Sequence, residues 1–215
     1  MSNKLNIWNQ TQEWEGDCIK TRRGKNLRLR RLNFLRLKKS DYILDLGCGD
    51  GLNIKILMKK GVKRIVGVDI SRQLLLEAKK INPKAKFYLA SAEKLPFNND
   101  KFDIVLVDSV FHHFMRYTKS LKEIKRVLKP GGRLCFIEPH NSIFRTLYDY
   151  YSISPLAKYT PFFKERGPAY LSEIKFMKHW LATEEKLFAQ LKSLGYIEKF
   201  KKKDLLSIIG IYQKP

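Results

Sequence analysis

Residues 43–51, ILDLGCGDG, wrap two carboxylates, Asp45 and Asp50, around a turn that holds Gly47, Gly49 and Gly51. Glycine turns that follow a strand commonly cradle phosphate on backbone N–H groups. A phosphate here would meet Asp45 and Asp50 and be repelled. The glycines also read Gly-x-Gly-x-Gly, whereas the dinucleotide fingerprint places its third glycine one position later. The turn therefore suits a ligand with a nucleoside, a positive charge and no phosphate. A further acid, Asp69, follows at the spacing where carboxylates accept hydrogen bonds from ribose hydroxyls in nucleotide folds.

S-adenosyl-L-methionine answers that description, since it carries a sulfonium, an ammonium, a ribose and an adenine. Methyl transfer from a sulfonium is an in-line displacement in which positioning does much of the work. A base is needed only when the acceptor loses a proton. His112, His113 and His140 are the candidates, each following the end of an apolar run. Cys18, Cys48 and Cys135 are odd in number and far apart, which suggests neither a disulfide framework nor a zinc site. No metal is expected, and a reducing cytoplasm is the natural compartment.

These residues need elements to hold them. YILDL (42–46), RIVGVD (64–69), KFYLA (86–90), FDIVLVD (102–108) and RLCFIE (133–138) read as strands. They are continuously apolar, so both sheet faces are covered. Between them, LNIKILMKKG (52–61), SRQLLLEAKKI with Ser71 as N-cap, and YTKSLKEIKRVLKPGG (117–132) read as helices. ATEEKLFAQLKSLG (182–195) reads as a last helix, followed by two runs too close together for a helical crossover, which should pair antiparallel. The expected fold is α/β, a doubly wound, seven-stranded, mostly parallel sheet with its last strand antiparallel and a small helical insertion before the final helix. The expected organisation is a basic N-terminal helical segment (1–40), an α/β core (41–140), an aromatic-rich helical insertion or lid (141–180), and a closing helix and strand pair (181–215).

The stretches ILDLGCGDG, VGVDIS (66–71), ASAEKLPF (90–97), FDIVLVDSVFHHF (102–114) and LKEIKRVLKPGGRLCFIEP (121–139) come in the order and spacing of one family. The chain resembles a class I S-adenosylmethionine-dependent methyltransferase with a Rossmann-like fold, in the subgroup that methylates small molecules, including quinone precursors, sterols and other lipids. The resemblance implies that Asp45 and the backbone of Gly47, Cys48 and Gly49 hold the methionine end, with Gly51 in the same turn. It implies that Asp69 takes the ribose, that Ile70 lies against the adenine, and that Ala92 and Glu93 flank it. Ser91 stands where many relatives have an aspartate. Asp108 and Ser109 would end the fourth strand near the methyl group. The expected activity is methyl transfer to a small-molecule or lipid acceptor. An RNA or protein methyltransferase is the first alternative, and a non-catalytic cofactor-binding protein the second.

The formal net charge is +22, and most of it is spread along the chain. One cluster stands out: residues 20–39 hold ten bases and no acid. It reads either as a solvated helix face or as a contact for a phosphate-bearing partner or an anionic membrane. In the second reading the cluster lies near the mouth of the site, with Leu27, Leu32 and Leu35 packed on the sheet domain. Nucleic acid is a less favoured partner because no appended binding domain accompanies the charge, and no obligate protein partner is inferred. Ten of residues 141–180 are aromatic, which reads as a subdomain core, a lid over an apolar acceptor, or both. The first residues lack the apolar segment and cleavage site of a signal peptide, and no apolar run is long enough to span a bilayer. The expected localisation is cytoplasmic, with peripheral membrane contact open.

Overall fold

The alternation of apolar runs and amphipathic segments builds one seven-stranded sheet. The computed structural model describes residues 22–215, apart from the side chains at 22–25, 161–162, 164–169 and 172. The strands are β1 (Tyr42–Leu46), β2 (Arg64–Asp69), β3 (Lys86–Leu89), β4 (Phe102–Asp108), β5 (Leu128–Pro139), β6 (Ile197–Lys203) and β7 (Ser207–Gln213). Their spatial order is β3-β2-β1-β4-β5-β7-β6. All pairs are parallel except those of β7, which runs antiparallel to both β5 and β6. The chain winds outward from β1 to β3, then returns to lay β4 on the other side of β1. That reversal opens a crevice beyond the carboxyl ends of β1 and β4, where ligands bind in open α/β sheets.

Strand alternation splits the core into two faces. Leu44, Leu46, Val66, Val68, Val105, Val107 and Phe136 pack on one side, with Trp180 and Leu187 from a helix. Ile43, Ile65, Ile104, Leu106, Cys135 and Ile137 pack on the other, with Leu32 and Leu35. Two covered faces explain why these strands read as unbroken apolar runs.

Six helices carry the connections among the described residues: α1 (Arg22–Phe34), α2 (Leu52–Lys59), α3 (Arg72–Ile81), α4 (Thr118–Val127), α5 (Ile143–Ile153) and α6 (Pro161–Ser193). Ser71 caps α3 as its position suggests, its Oγ accepting from the Leu74 N–H at 3.3 Å. Two expectations need correction. The helix expected in 117–132, with Pro130 and the glycine pair as its stop, ends earlier, at Val127, and Leu128 already pairs with Phe102 in the sheet. Lys129 precedes Pro130 and is pushed toward extended backbone. The last helix begins at Pro161 rather than 182, so the position between 180 and 181 falls inside one helix of 33 residues. Packing explains the longer helix: Tyr170, Met177 and Trp180 are all buried. Leu32 near the end of α1 and Leu35 just beyond it are buried as expected, but Leu27 is exposed. Residues 1–21, including Cys18, lie outside the described residues.

Candidate functional site

The glycine turn between β1 and α2 is closed by left-handed backbone: φ is +72° at Gly47, +53° at Gly49 and +79° at Gly51. Most of its N–H groups are spoken for. Those of Gly47 and Cys48 both donate to the Val68 carbonyl, at 2.8 and 3.0 Å, and that of Gly51 donates to the Cys48 carbonyl at 2.9 Å. The Gly49 N–H donates to Asp69 Oδ2 at 2.9 Å, and the Leu52 N–H to Asp50 Oδ1 at 3.1 Å. A phosphate cradle needs those donors pointing outward. This turn has spent them on its own strands and acids, so the backbone of Gly47, Cys48 and Gly49 can meet a ligand through carbonyl oxygens. It presents acceptors, which suit a cation.

Asp45 sharpens that conclusion. It is almost fully buried, and neither carboxyl oxygen has a partner at hydrogen-bonding distance and angle among the described residues, although the Asn53 side chain lies close enough to lower its pKa somewhat. Burial, helped by the charge of nearby Asp108 and opposed by Arg28, pushes its pKa up to about 8. A buried carboxyl without a donor is costly unless a ligand completes it. Asp69 is fastened differently: beyond Gly49, its Oδ1 accepts from the Ser71 N–H at 2.8 Å. Burial raises its pKa too, against the lowering effect of those backbone N–H bonds.

Asp108 closes β4 and faces the same crevice. Its Oδ2 accepts from Asn53 Nδ2 at 3.2 Å and lies 3.8 Å from Arg28 Nε, while Ser109 Oγ donates to its Oδ1 at 3.2 Å. Arg28 also donates to Asn53 Oδ1 at 3.3 Å. The basic helix α1 thus reaches the mouth of the crevice through Arg28, as the charge cluster suggested. Ser109 has φ +62°, a left-handed conformation a serine adopts at a cost. Asn53, Arg28 and Ser109's backbone were not legible as site features: the first two act across 25 residues or more, and no residue type marks the third.

A second cluster forms where β4 and β5 end side by side. Glu138 Oε1 accepts from the N–H groups of Val110 and Phe111, both at 2.6 Å, and its Oε2 lies 2.8 Å from Nδ1 of buried His112. The His112 and His113 rings are 3.9 Å apart between centroids. Burial, together with His112, holds the His113 pKa well below its ordinary value, so that ring is neutral at physiological pH. Sequence reasoning placed both histidines here but missed Glu138 as their anchor, since the partners are 26 residues apart. His140, two residues beyond Glu138, has its own partner: its Nδ1 pairs with Glu184 of α6 at 2.9 Å, and Glu184 also accepts from the Asn141 N–H at 2.8 Å. That pairing fastens the start of α5 to α6.

The expected adenine-side residues lie on the β2 and β3 side. Ile70 is partly exposed, Ala92 is buried, and Ser91 Oγ accepts from the Glu93 N–H at 3.2 Å. Cys48 is buried, and burial and the surrounding aspartates hold its thiol pKa well above the ordinary value, so it is no nucleophile.

Comparison with known proteins agrees with this geometry. Residues 44–136 match the family model described as a methyltransferase domain. The chain is 40% identical over 113 residues to an uncharacterized methyltransferase of Schizosaccharomyces pombe, covering 46% of this chain and 40% of that protein. It is 33% identical over 136 residues to a demethylmenaquinone methyltransferase of Chlorobaculum parvum, covering 62% of this chain and 56% of the relative. The chain spans about half the length of the curated relatives it matches. Its fold is that of a SAM dependent methyltransferase from Aquifex aeolicus, with TM-score 0.63 at 17% identity over 87% of this chain and 89% of that one.

Proposed function

We propose that this chain, whose residues 44–136 match a methyltransferase domain and whose fold is that of S-adenosylmethionine-dependent methyltransferases, transfers a methyl group to a small, apolar or aromatic acceptor, a quinone precursor or another lipid being the favoured class. The observation that carries the cofactor's place is Asp45, a buried carboxyl with no well-formed hydrogen bond among the described residues, in a turn that offers acceptors. S-adenosylmethionine supplies the activated methyl when bound. Asp45 and the carbonyls of the turn take the ammonium. Asp69, whose oxygens retain lone pairs beyond the two backbone bonds, takes the ribose hydroxyls. Ile70, Ala92, Ser91 and Glu93 frame the adenine, and Asp108 and Ser109 border the reacting end.

The acceptor's proton goes to His112. Glu138 takes the Nδ1–H, which places the lone pair on Nε2, and three donors fix the carboxylate that does so. His113, kept neutral, stands beside it. The aromatic segment 141–180 covers the acceptor side. His113 packs on Phe176 of α6, with ring centroids 5.9 Å apart. The relatives named demethylmenaquinone and ubiquinone/menaquinone biosynthesis methyltransferases support an acceptor of this size and polarity.

Calorimetry tests the cofactor's place. Asp45 is mostly protonated at pH 7, because its folded pKa lies near 8, while a bound cation stabilises the carboxylate. S-adenosylmethionine should therefore expel close to one proton per site at pH 7, seen as a buffer-dependent heat. Affinity should climb by up to about tenfold per pH unit from 6 to 8 and then flatten. The same group works against the fold in the absence of cofactor. The folded state binds the proton more tightly than the unfolded chain, so stability falls as pH rises between about 4 and about 8. Asp45→Asn should abolish the pH slope of binding. A heat independent of buffer, or tight binding of NAD, would count against this placement.

A further inference from the structure

Helix α5 is built inside out. Its two charged side chains, Arg145 and Asp149, are buried and bonded to each other, Nε to Oδ2 at 2.6 Å. Meanwhile Ile143, Leu147 and Tyr150 are 71, 60 and 73% exposed, with Phe144 beside them at 51%. A helix bathed in water places its charges outward and its apolar side chains inward. Here the order is reversed, and the apolar surface continues beyond the helix. Leu156 and Tyr159 of the next turn are exposed. At the other end Ser142 Oγ donates to the Leu205 carbonyl, which sets exposed Leu205, in the β6–β7 turn, beside Ile143.

The neighbouring surface is basic. Strand β6 reads IEKFKKK, with Lys199, Lys201 and Lys203 exposed. Lys201 pairs with Glu198 at 3.1 Å, Lys202 with Asp204 at 3.4 Å, and Lys203 with Glu185 at 3.2 Å and Glu184 at 3.5 Å. Within the strand itself four lysines stand against one glutamate, and Lys199 takes part in none of those pairs. Beyond it lies α1, joined by the Phe34 and Phe200 rings, 6.4 Å apart, and by Lys202 over the Phe34 ring at 4.2 Å. The sequence of α1, RRGKNLRLRRLNF, holds six bases and no acid.

We propose that this side of the molecule docks on an anionic lipid surface, with Ile143, Leu147, Tyr150 and Leu205 entering the headgroup boundary. Lys199 and, from α1, Arg30 and Arg31 then lie against lipid phosphates. An apolar helix face bordered by bases is the chemistry of an interfacial anchor. Charge also selects the occupant: two copies of a chain carrying +22 repel each other across such a face. The inference deepens the lipid-acceptor reading, because docking would hold the lid helix where a lipid-borne acceptor enters, yet it is tested without catalysis.

Flotation of the full chain with phosphatidylcholine vesicles, with and without phosphatidylglycerol, at low and raised salt, makes the test. The chain should float with the anionic vesicles only, and less at raised salt. Ile143→Ser, Leu147→Ser and Tyr150→Ser together alter only mostly exposed side chains and should cut the partition coefficient roughly a hundredfold. Leu205→Ser alone, on a different element, should lower it about fivefold. Cofactor heat should be unchanged in both variants. Equal flotation of parent and triple variant overturns the proposal. So does a photocrosslinker at Tyr150 that, without lipid, captures a second copy or residues 1–21 in full yield. Vesicle binding with no cofactor heat in the parent would instead overturn the methyltransferase reading and leave the docking face standing.

Discussion

Gly47→Ala should melt roughly 10 °C below the parent, a loss of about 3 kcal/mol for a chain of this size. Two costs combine. An alanine held at φ +72° pays about 1 kcal/mol for the left-handed region. Its Cβ would also fall inside contact distance of Val110 Cγ2, with Cγ1 at 2.9 Å, and overpacking of that kind costs about 1–3 kcal/mol. Gly49→Ala isolates the first cost, since the nearest atom to its Cβ would be Leu74 Cδ1 at 3.8 Å. Adding Val110→Ala to Gly47→Ala should return the steric part and leave the backbone part. Denaturant unfolding of the four chains measures both. Equal losses at Gly47 and Gly49 would mean that the turn does not press on Val110 as the structure shows.

His112→Ala should lower kcat by about 10²–10⁴, the range for a lost general base, while cofactor affinity holds. Glu138→Gln is the more telling variant. Its amide oxygen can still accept the Val110 and Phe111 N–H groups, so the loop keeps its anchor. Its NH₂, however, would donate to His112 Nδ1 and force the ring proton onto Nε2, where a base needs a lone pair. Turnover should fall nearly as far as in His112→Ala, with the limb of the pH–rate profile that reports the base displaced. A Glu138→Gln enzyme with parental rate and pH profile would make the pair a structural fastener, like His140 with Glu184.

What could be read in the sequence was local. Apolar runs, glycines and the acids that end strands lie within a few residues of one another, so the sheet, the turn at 45–51 and the Ser71 cap were legible. The seven-stranded sheet with its reversed strand follows from those runs and from the short link between the last two. What stayed hidden was made by contacts across the chain. Glu138 anchors His112 over 26 residues and Arg28 reaches Asp108 over 80, and no spacing rule connects either pair. Helix α6 was read twenty-one residues short because residues 161–181 lack a clean helical period, and burial of Tyr170, Met177 and Trp180 supplies what the pattern does not. The charge cluster was visible, but that Leu27 stays exposed while Leu32 and Leu35 are buried depends on where α1 meets the sheet. The reversed polarity of α5 went unnoticed for a related reason: Arg145 and Asp149 are spaced one helical turn apart, which reads as a surface ion pair until burial is known.

The central claim, methyl transfer from S-adenosylmethionine to a small lipid-soluble acceptor, is tested most directly by following a labelled methyl group. The chain would be incubated with methyl-deuterated cofactor and a total cell extract, and the label traced by mass spectrometry in the organic-soluble, nucleic-acid and protein fractions. The account predicts label in an organic-soluble product, matched by an equal yield of the demethylated cofactor and lost in Asp45→Asn. Label confined to a nuclease- or protease-sensitive fraction, or no consumption of cofactor at all, would contradict it.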